Sequence, residues 1–318
     1  MNEAAVRSDT FLLDTQDATP VFVHRWLPDG EPKAVVQIAH GMAEHSGRYE
    51  RFAQALTDAG YAVYAGDHRG HGQTVKDARD VGYFADDNGF DRVVDDLHAL
   101  TERIKDEQPS LPVILFGHSM GSFLSRSYAT RFGGDIDALV ISGTGGSAGP
   151  LGKVGRGIAG LQAKVRGRRH PSGLMNTLTF GQYNARFKPA RTEFDWLSRD
   201  HDEVDKYIAD PKCGELFTVG FYADLLAGLE RVNDDKEVSS TPSDLPILLI
   251  SGSDDPVGGK DAAGVRAVGA QLRKLGVRDV TTTIYPGARH ELLNEANRDE
   301  VTADVIAWLD EQVAGATS

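Results

Sequence analysis

The 318-residue chain has one cysteine, Cys213. No intramolecular disulfide can form, and a reducing compartment is expected. Positive charge is also short. Lys and Arg number 34 against 47 Asp and Glu, a net charge of −13. Nucleic acid is therefore not an expected partner, because phosphate backbones are held by clustered cations. No run of about 18 apolar residues occurs, so no segment is expected to cross a bilayer. There is no internal repeat and no low-complexity tail. The opening "MNEAAVRSDTFLLDTQDATP" lacks a basic region followed by an apolar core, so no secretory leader is expected and the chain reads as cytoplasmic. His-Glu-x-x-His and paired cysteines are missing too. The histidines of "DHRGHG" (67–72) and His40 and His45 read as a hydrogen-bonded turn bracing a nearby loop, and no metal is expected. "GTGGSAGPLGK" has phosphate-loop glycines but fails the Walker spacing, with no Ser or Thr after Lys153.

What is present is an ordered series of short apolar runs. "AVVQIAHG" (34–41), "AVYAGDHRG" (62–70), "VILFGHS" (113–119), "ALVISGT" (138–144), "ILLISGS" (247–253) and "TTTIYPG" (281–287) read as strands, most of them apolar throughout, as in a sheet covered on both faces. "VFVHRWL" (21–27) alternates and suits an antiparallel edge region. Helical spacing lies between them: Val93, Leu97, Leu100 and Ile104 share one face, as do Val301, Val305 and Trp308. The expected fold class is α/β, a mostly parallel central sheet flanked by helices. Residues 147–228 break the alternation and read as an inserted, mainly helical cap. Residues 1–146 and 229–318 form the core.

"VILFGHSMGS" (113–122) carries the chemistry. A strand that turns abruptly into a helix holds its apical residue at positive φ, and the residues two places away must be small. Gly117 and Gly121 supply that space around Ser119, whose hydroxyl stands at the head of the next helix. Serine is a weak nucleophile and needs a base, which in turn needs an orienting acid. In a turn of this kind the chain order is Ser, then acid, then His. After Ser119 histidine occurs only at 170, 201 and 290. His170 and His201 fall in the cap; His290 follows the last strand and is the candidate base. The acid should follow "ILLISGS", where Asp254 and Asp255 are adjacent; either could instead cap a turn. The backbone N–H groups of Met120 and Met42 are the candidate oxyanion donors by position.

Together "HGMAEHSGRY" (40–49), "GDHRGHGQT" (66–74), "GHSMGS" (117–122), "GSDDPV" (252–257) and "YPGARH" (285–290) resemble the monoacylglycerol lipase and lysophospholipase branch of the serine α/β-hydrolases, in the right order across nearly the whole core. The resemblance implies the α/β-hydrolase fold. It places the acid at Asp255, the second Asp of the Gly-Ser-x-Asp turn, and the oxyanion hole at Met42 and Met120. It implies a serine carboxylester hydrolase of single-chain lipid esters, a monoacylglycerol or a lysophospholipid, needing no cofactor. A generalist short-chain carboxylesterase and a non-catalytic binding module of the same fold are the alternatives. Oligomeric state is not legible.

The cap opens with "KVGRGIAGLQAKVRGRRH" (153–170). Val154, Ile158, Leu161 and Val165 recur at helical spacing among Lys153, Arg156, Lys164, Arg166, Arg168 and Arg169. Two readings are open: a peripheral contact with an anionic membrane surface, or a solvated helix with its apolar face on the core. The second is the ordinary outcome for such a stripe. Trp196, Leu197, Val204 and Tyr207 read as the cap's own core.

Overall fold

The computed structural model describes residues 7–147 and 149–316. The first six residues, on which the leader reading partly rests, and Ala148 lie outside the described residues. One sheet of eight strands runs in the order β1-β2-β4-β3-β5-β6-β7-β8. β1 (Arg7–Leu13) and β2 (Val21–Leu27) are antiparallel at one edge, and β2 is antiparallel to β4 (Tyr61–Gly66). From β4 onward, β3 (Ala34–Ala39), β5 (Val113–His118), β6 (Ala138–Ser142), β7 (Ile247–Gly252) and β8 (Val280–Tyr285) are parallel.

Every residue of β3, β4, β5, β6 and β7 is buried, as their nearly continuous apolar composition requires. The two faces are covered by different helices. On one, α1 (Glu50–Asp58) contributes Phe52 and Leu56, which pack with Ile38, Phe116, Val301 and Trp308. On the other, α2 (Gly89–Glu107) sets Val93, Leu97, Leu100 and Ile104 against Val35 and Leu115, together with Leu124 of α3 (Met120–Phe132). The chain leaves β3 for β4 on one side and returns to β5 on the other. This reversal leaves a crevice beyond the carboxyl ends of β3 and β5, where such sheets hold their reacting groups.

Between β6 and β7 the chain forms α4 (Gly149–Arg166), α5 (Gly173–Phe180), α6 (His201–Ala209), α7 (Val219–Arg231) and α8 (Asp235–Val238), the inserted helical cap. α7 crosses the expected boundary at 228–229, packing on α4 and on α2 and α3. Two further helices complete the core, α9 (Ala263–Lys274) and α10 (Arg298–Ala316).

One expectation fails in part in the cap. Three of the four stripe residues on α4 face away from the core, Val154, Leu161 and Val165 being 59%, 65% and 75% exposed, while Ile158 is partly buried against it. The reason is glycine. The face turned inward carries Ala159, fully buried, and Gly155, which rests against Leu226, so α4 lies close on α7 through its small residues. Val154, Leu161 and Val165 are left outside. The glycine-rich approach to α4 is also more fixed than its composition suggests. Buried Arg126 donates to the Gly145 carbonyl at 3.0 Å and to the Val232 carbonyl at 2.6 Å. Burial pushes its pKa down to about 10.

Candidate active site

The turn after β5 holds Ser119 at φ 51°, ψ −118°. Such a backbone costs about 1–3 kcal/mol and persists only where its surroundings impose it. They do so here. A Cβ on Gly117 would lie 2.3 Å from the Ser125 hydroxyl oxygen, and one on Gly121 would lie 2.0 Å from the Ala39 carbonyl. The two glycines let β5, β3 and α3 approach closely enough to force the turn. Ser119 N–H donates to the Ser142 carbonyl at 2.9 Å, fixing the turn to β6.

Three side chains meet across long stretches of sequence. The Ser119 hydroxyl donates to His290 Nε2 at 2.8 Å, and His290 Nδ1 donates to Asp255, 3.0 Å from each carboxylate oxygen. Asp255 is fully buried and His290 nearly so. The Nδ1–H bond to Asp255 leaves Nε2 unprotonated toward the serine, the tautomer a base requires. Burial works against charge on His290, but the charge and hydrogen bond of Asp255 raise its pKa above 6.5. Asp254 sits outside this contact, exposed, 3.5 Å from Arg186. His170 and His201 stay apart from it: His170 faces Arg166 at 3.3 Å, and His201 opens α6 in solvent. Met120 begins α3, in the turn whose N–H groups have no intrahelical acceptor. Met42 lies on the loop after β3 and lines the same cavity as Ser119.

The other histidines brace that loop. His40 Nε2 accepts from His68 N–H at 2.9 Å, so its proton is on Nδ1, which donates to the Gly41 carbonyl at 2.7 Å. Burial and neighbouring His71 push His68 down to about 3, and burial pushes His71 down to about 4, so both are neutral. His45, Asp210 and Cys213 gather at the loop's outer end. His45 Nδ1 accepts from Gly47 N–H, which leaves Nε2 with the proton it donates to Asp210 at 3.0 Å. Burial pushes the Cys213 thiol up and keeps it protonated. The His45–Asp210 hydrogen bond straps the loop to the cap.

Four functional positions have no assignment in the sequence reading. Glu44 accepts from Gly41 N–H at 2.6 Å, from the Tyr49 hydroxyl at 2.9 Å and from Arg48 at 2.8 Å. Arg48 then donates twice to Glu291, beside His290, at 2.7 and 2.8 Å. Their motif "HGMAEHSGRY" was visible, but a link between residues 48 and 291 has no local signature. His118, next to Ser119, lies 4.8 Å from His290 between ring centroids; burial and that neighbour push it down to about 4. Trp196 lies 5.0 Å from the His290 ring and so serves the site as well as the cap core.

The cavity above Ser119 has two arms, which share Met42, Ser119, Phe180 and Trp196. One, of about 330 Å³, is apolar, walled by Phe123, Tyr222, Leu225, Leu226, Leu229 and Val257. The other, of about 490 Å³, adds Asn176, Thr177, Asn184 and several carboxylates. Cap residues wall both.

A nucleophile-bearing turn after a central parallel strand, facing a buried His–Asp pair beneath a helical cap, defines the α/β-hydrolase superfamily, and the chain is a serine hydrolase. The family model described as serine aminopeptidase, S33 matches residues 30–297. The chain belongs to that family, within its monoacylglycerol lipase branch. It is 32% identical to the monoacylglycerol lipase of Mycolicibacterium smegmatis, over 89% of this chain and 90% of that one. It is 31% identical to the monoglyceride lipase of Homo sapiens, over 94% and 90%. Among solved structures, a thermostable carboxyl esterase from Bacillus coagulans in complex with glycerol superposes with a TM-score of 0.90 at 28% identity, covering 97% of this chain and 100% of that one. A lipase or esterase activity follows.

Proposed function

We propose that the protein hydrolyses single-chain lipid esters, with Ser119, His290 and Asp255 as the catalytic triad and the N–H groups of Met42 and Met120 as the oxyanion hole. The observation that carries this reading is the pair of unlike arms meeting at Ser119. An acyl chain suits the apolar arm, lined by Leu225, Leu226 and Leu229, and a polar alcohol suits the arm holding Asn176 and Asn184.

Ser119 Oγ attacks the ester carbonyl carbon as its proton passes to His290 Nε2. Asp255 steadies the imidazolium through Nδ1. The two N–H groups receive the negative charge that develops on the carbonyl oxygen, where a single such donor is worth about 3–4 kcal/mol. Collapse returns the proton from His290 to the departing alcohol and leaves the acyl-serine. Water, deprotonated by the same imidazole, then releases the fatty acid. Glu44, Arg48 and Glu291 hold the Met42 loop against the His290 loop, so that donors and base keep one spacing.

Residues 147–228 act in this reading as the cap, and the exposed Val154, Leu161 and Val165 among basic residues dock it on an anionic lipid surface. The lone cysteine supports action in the cytoplasm. A short-chain carboxylesterase is the second reading, favoured by the likeness to the Bacillus coagulans carboxyl esterase. Labelling with a fluorophosphonate probe, mapped by peptide and competed by a monoacylglycerol, tests the proposal. Label on Ser119 that the monoacylglycerol protects supports it; label elsewhere, or none, overturns it.

A further inference from the structure

The polar arm carries charge of one sign. Four carboxylates line it, from Glu44, Glu193, Glu215 and Glu291, and among the described residues no Lys or Arg does. Glu44 and Glu291 are matched by Arg48, which lies behind the wall. Glu193 and Glu215 are different: among the described residues neither makes an ion pair within 4.0 Å. Glu215 is half-buried; burial and Asp210 raise its pKa, with Lys212 and His45 opposing, as for a carboxylate facing a confined space with too little compensating charge. Beside these acids stands aromatic surface. The rings of Phe194 and Tyr207 are 5.1 Å apart, and Trp196 lines the same arm. Arg48 already occupies one face of Tyr207, with its guanidinium carbon 4.9 Å from the ring centroid, so the arm's further aromatic surface comes from Phe180, Phe194 and Trp196.

We propose that this arm selects the alcohol half of the substrate by charge, accepting uncharged and quaternary-ammonium headgroups and rejecting anionic ones, through Glu193 and Glu215. The inference rests on the reading above, in which the alcohol occupies this arm. Glu215, half-buried, and Glu193, exposed to solvent on the same lining, attract a cation and repel an anion at the moment the leaving group must reside there, Glu215 the more strongly. Aromatic faces favour a quaternary ammonium further. A glycerol headgroup, without charge, is tolerated; a phosphomonoester headgroup is not.

The test uses three butanoyl esters of equal length on the alcohol side: the choline ester, its uncharged isostere with tert-butyl in place of trimethylammonium, and the isethionyl ester with a sulfonate there. Each kcat/KM is divided by the ester's hydroxide-catalysed rate, which removes the difference in leaving-group reactivity. The expected order is choline, isostere, isethionyl, with steps of about tenfold. The spread narrows with added salt and collapses toward the isostere in E193Q/E215Q. An isethionyl ester cleaved as fast as the isostere, or a spread that survives the double substitution, overturns charge selection while leaving the hydrolase reading standing. An isostere not hydrolysed above the rate of Ser119→Ala overturns that underlying reading itself.

Discussion

Arg48 and Glu291 share two hydrogen bonds, at 2.7 and 2.8 Å, and so join the loop bearing Met42 to the loop bearing His290. Both side chains are nearly buried, at 11% and 7% exposure. Burial pushes the Glu291 carboxyl up, but the charge and hydrogen bonds of Arg48 outweigh it and hold the group below the usual carboxylate range. Replacing Arg48 strands two buried carboxylates, because Glu44 depends on it too. Arg48→Met is expected to destabilise the fold by about 3–5 kcal/mol, measured by urea unfolding, and to lower kcat more than it raises KM. A loss under 1 kcal/mol, about what an exposed pair contributes, would show that the pair does not join the loops.

Asp255 and Asp254 separate the two roles that adjacent carboxylates can play. Asp255→Asn keeps the side chain's shape but loses the charge that orients and stabilises His290, and kcat should fall on the order of 10,000-fold with the fold intact. Asp254 is 44% exposed and pairs only loosely with Arg186. Asp254→Asn should change kcat/KM by no more than about twofold. The reverse pattern in steady-state kinetics would transfer the acid's role to Asp254.

The state of His290 sets the pH dependence. The base works as neutral imidazole, and Asp255 raises its pKa above 6.5 in spite of burial. The rate constant kcat/KM should therefore fall as pH drops through that raised value, with the acid limb centred above 6.5. In Asp255→Asn the residual activity should have its limb at lower pH, since the partner that favoured the charged ring is gone and burial remains. A limb below 6.5 in the unmodified enzyme would contradict the hydrogen-bonded pair.

The apolar arm should set acyl-chain preference. Leu226 lines it and is only partly buried, so a larger ring there shortens the arm without overfilling the core. Leu226→Trp should move the preferred p-nitrophenyl ester toward shorter chains, with the acetate ester affected least. A preference profile that keeps its shape would place the acyl chain elsewhere.

The parts of this molecule legible in the sequence are those written locally. β5 is apolar because both its faces are covered, and Gly117 and Gly121 flank Ser119 because a Cβ at either would strike backbone or side chain at 2.0 to 2.5 Å. β1 was not legible: "RSDTFLL" lies on the edge, is largely exposed, and shows neither alternation nor an unbroken apolar run. The outward turn of α4 was hidden because its inner contact is made by Gly155 and Ala159, small residues that carry little hydrophobic signal. Trp196 read as cap core because sequence gives burial more readily than it gives neighbours, and its neighbour is the His290 ring. Arg48 and Glu291 lie 243 positions apart, and only the folded sheet brings their loops together.

The central claim is most directly tested by hydrolysis of a long-chain monoacylglycerol by the purified enzyme beside Ser119→Ala, with lysophosphatidylcholine, p-nitrophenyl acetate and an aminoacyl nitroanilide assayed in parallel. The account predicts that the monoacylglycerol or the lysophospholipid is cleaved in preference to the acetate, that the nitroanilide is not cleaved, and that Ser119→Ala abolishes the activity. Cleavage confined to the acetate or the nitroanilide, or activity that survives in Ser119→Ala, would contradict it.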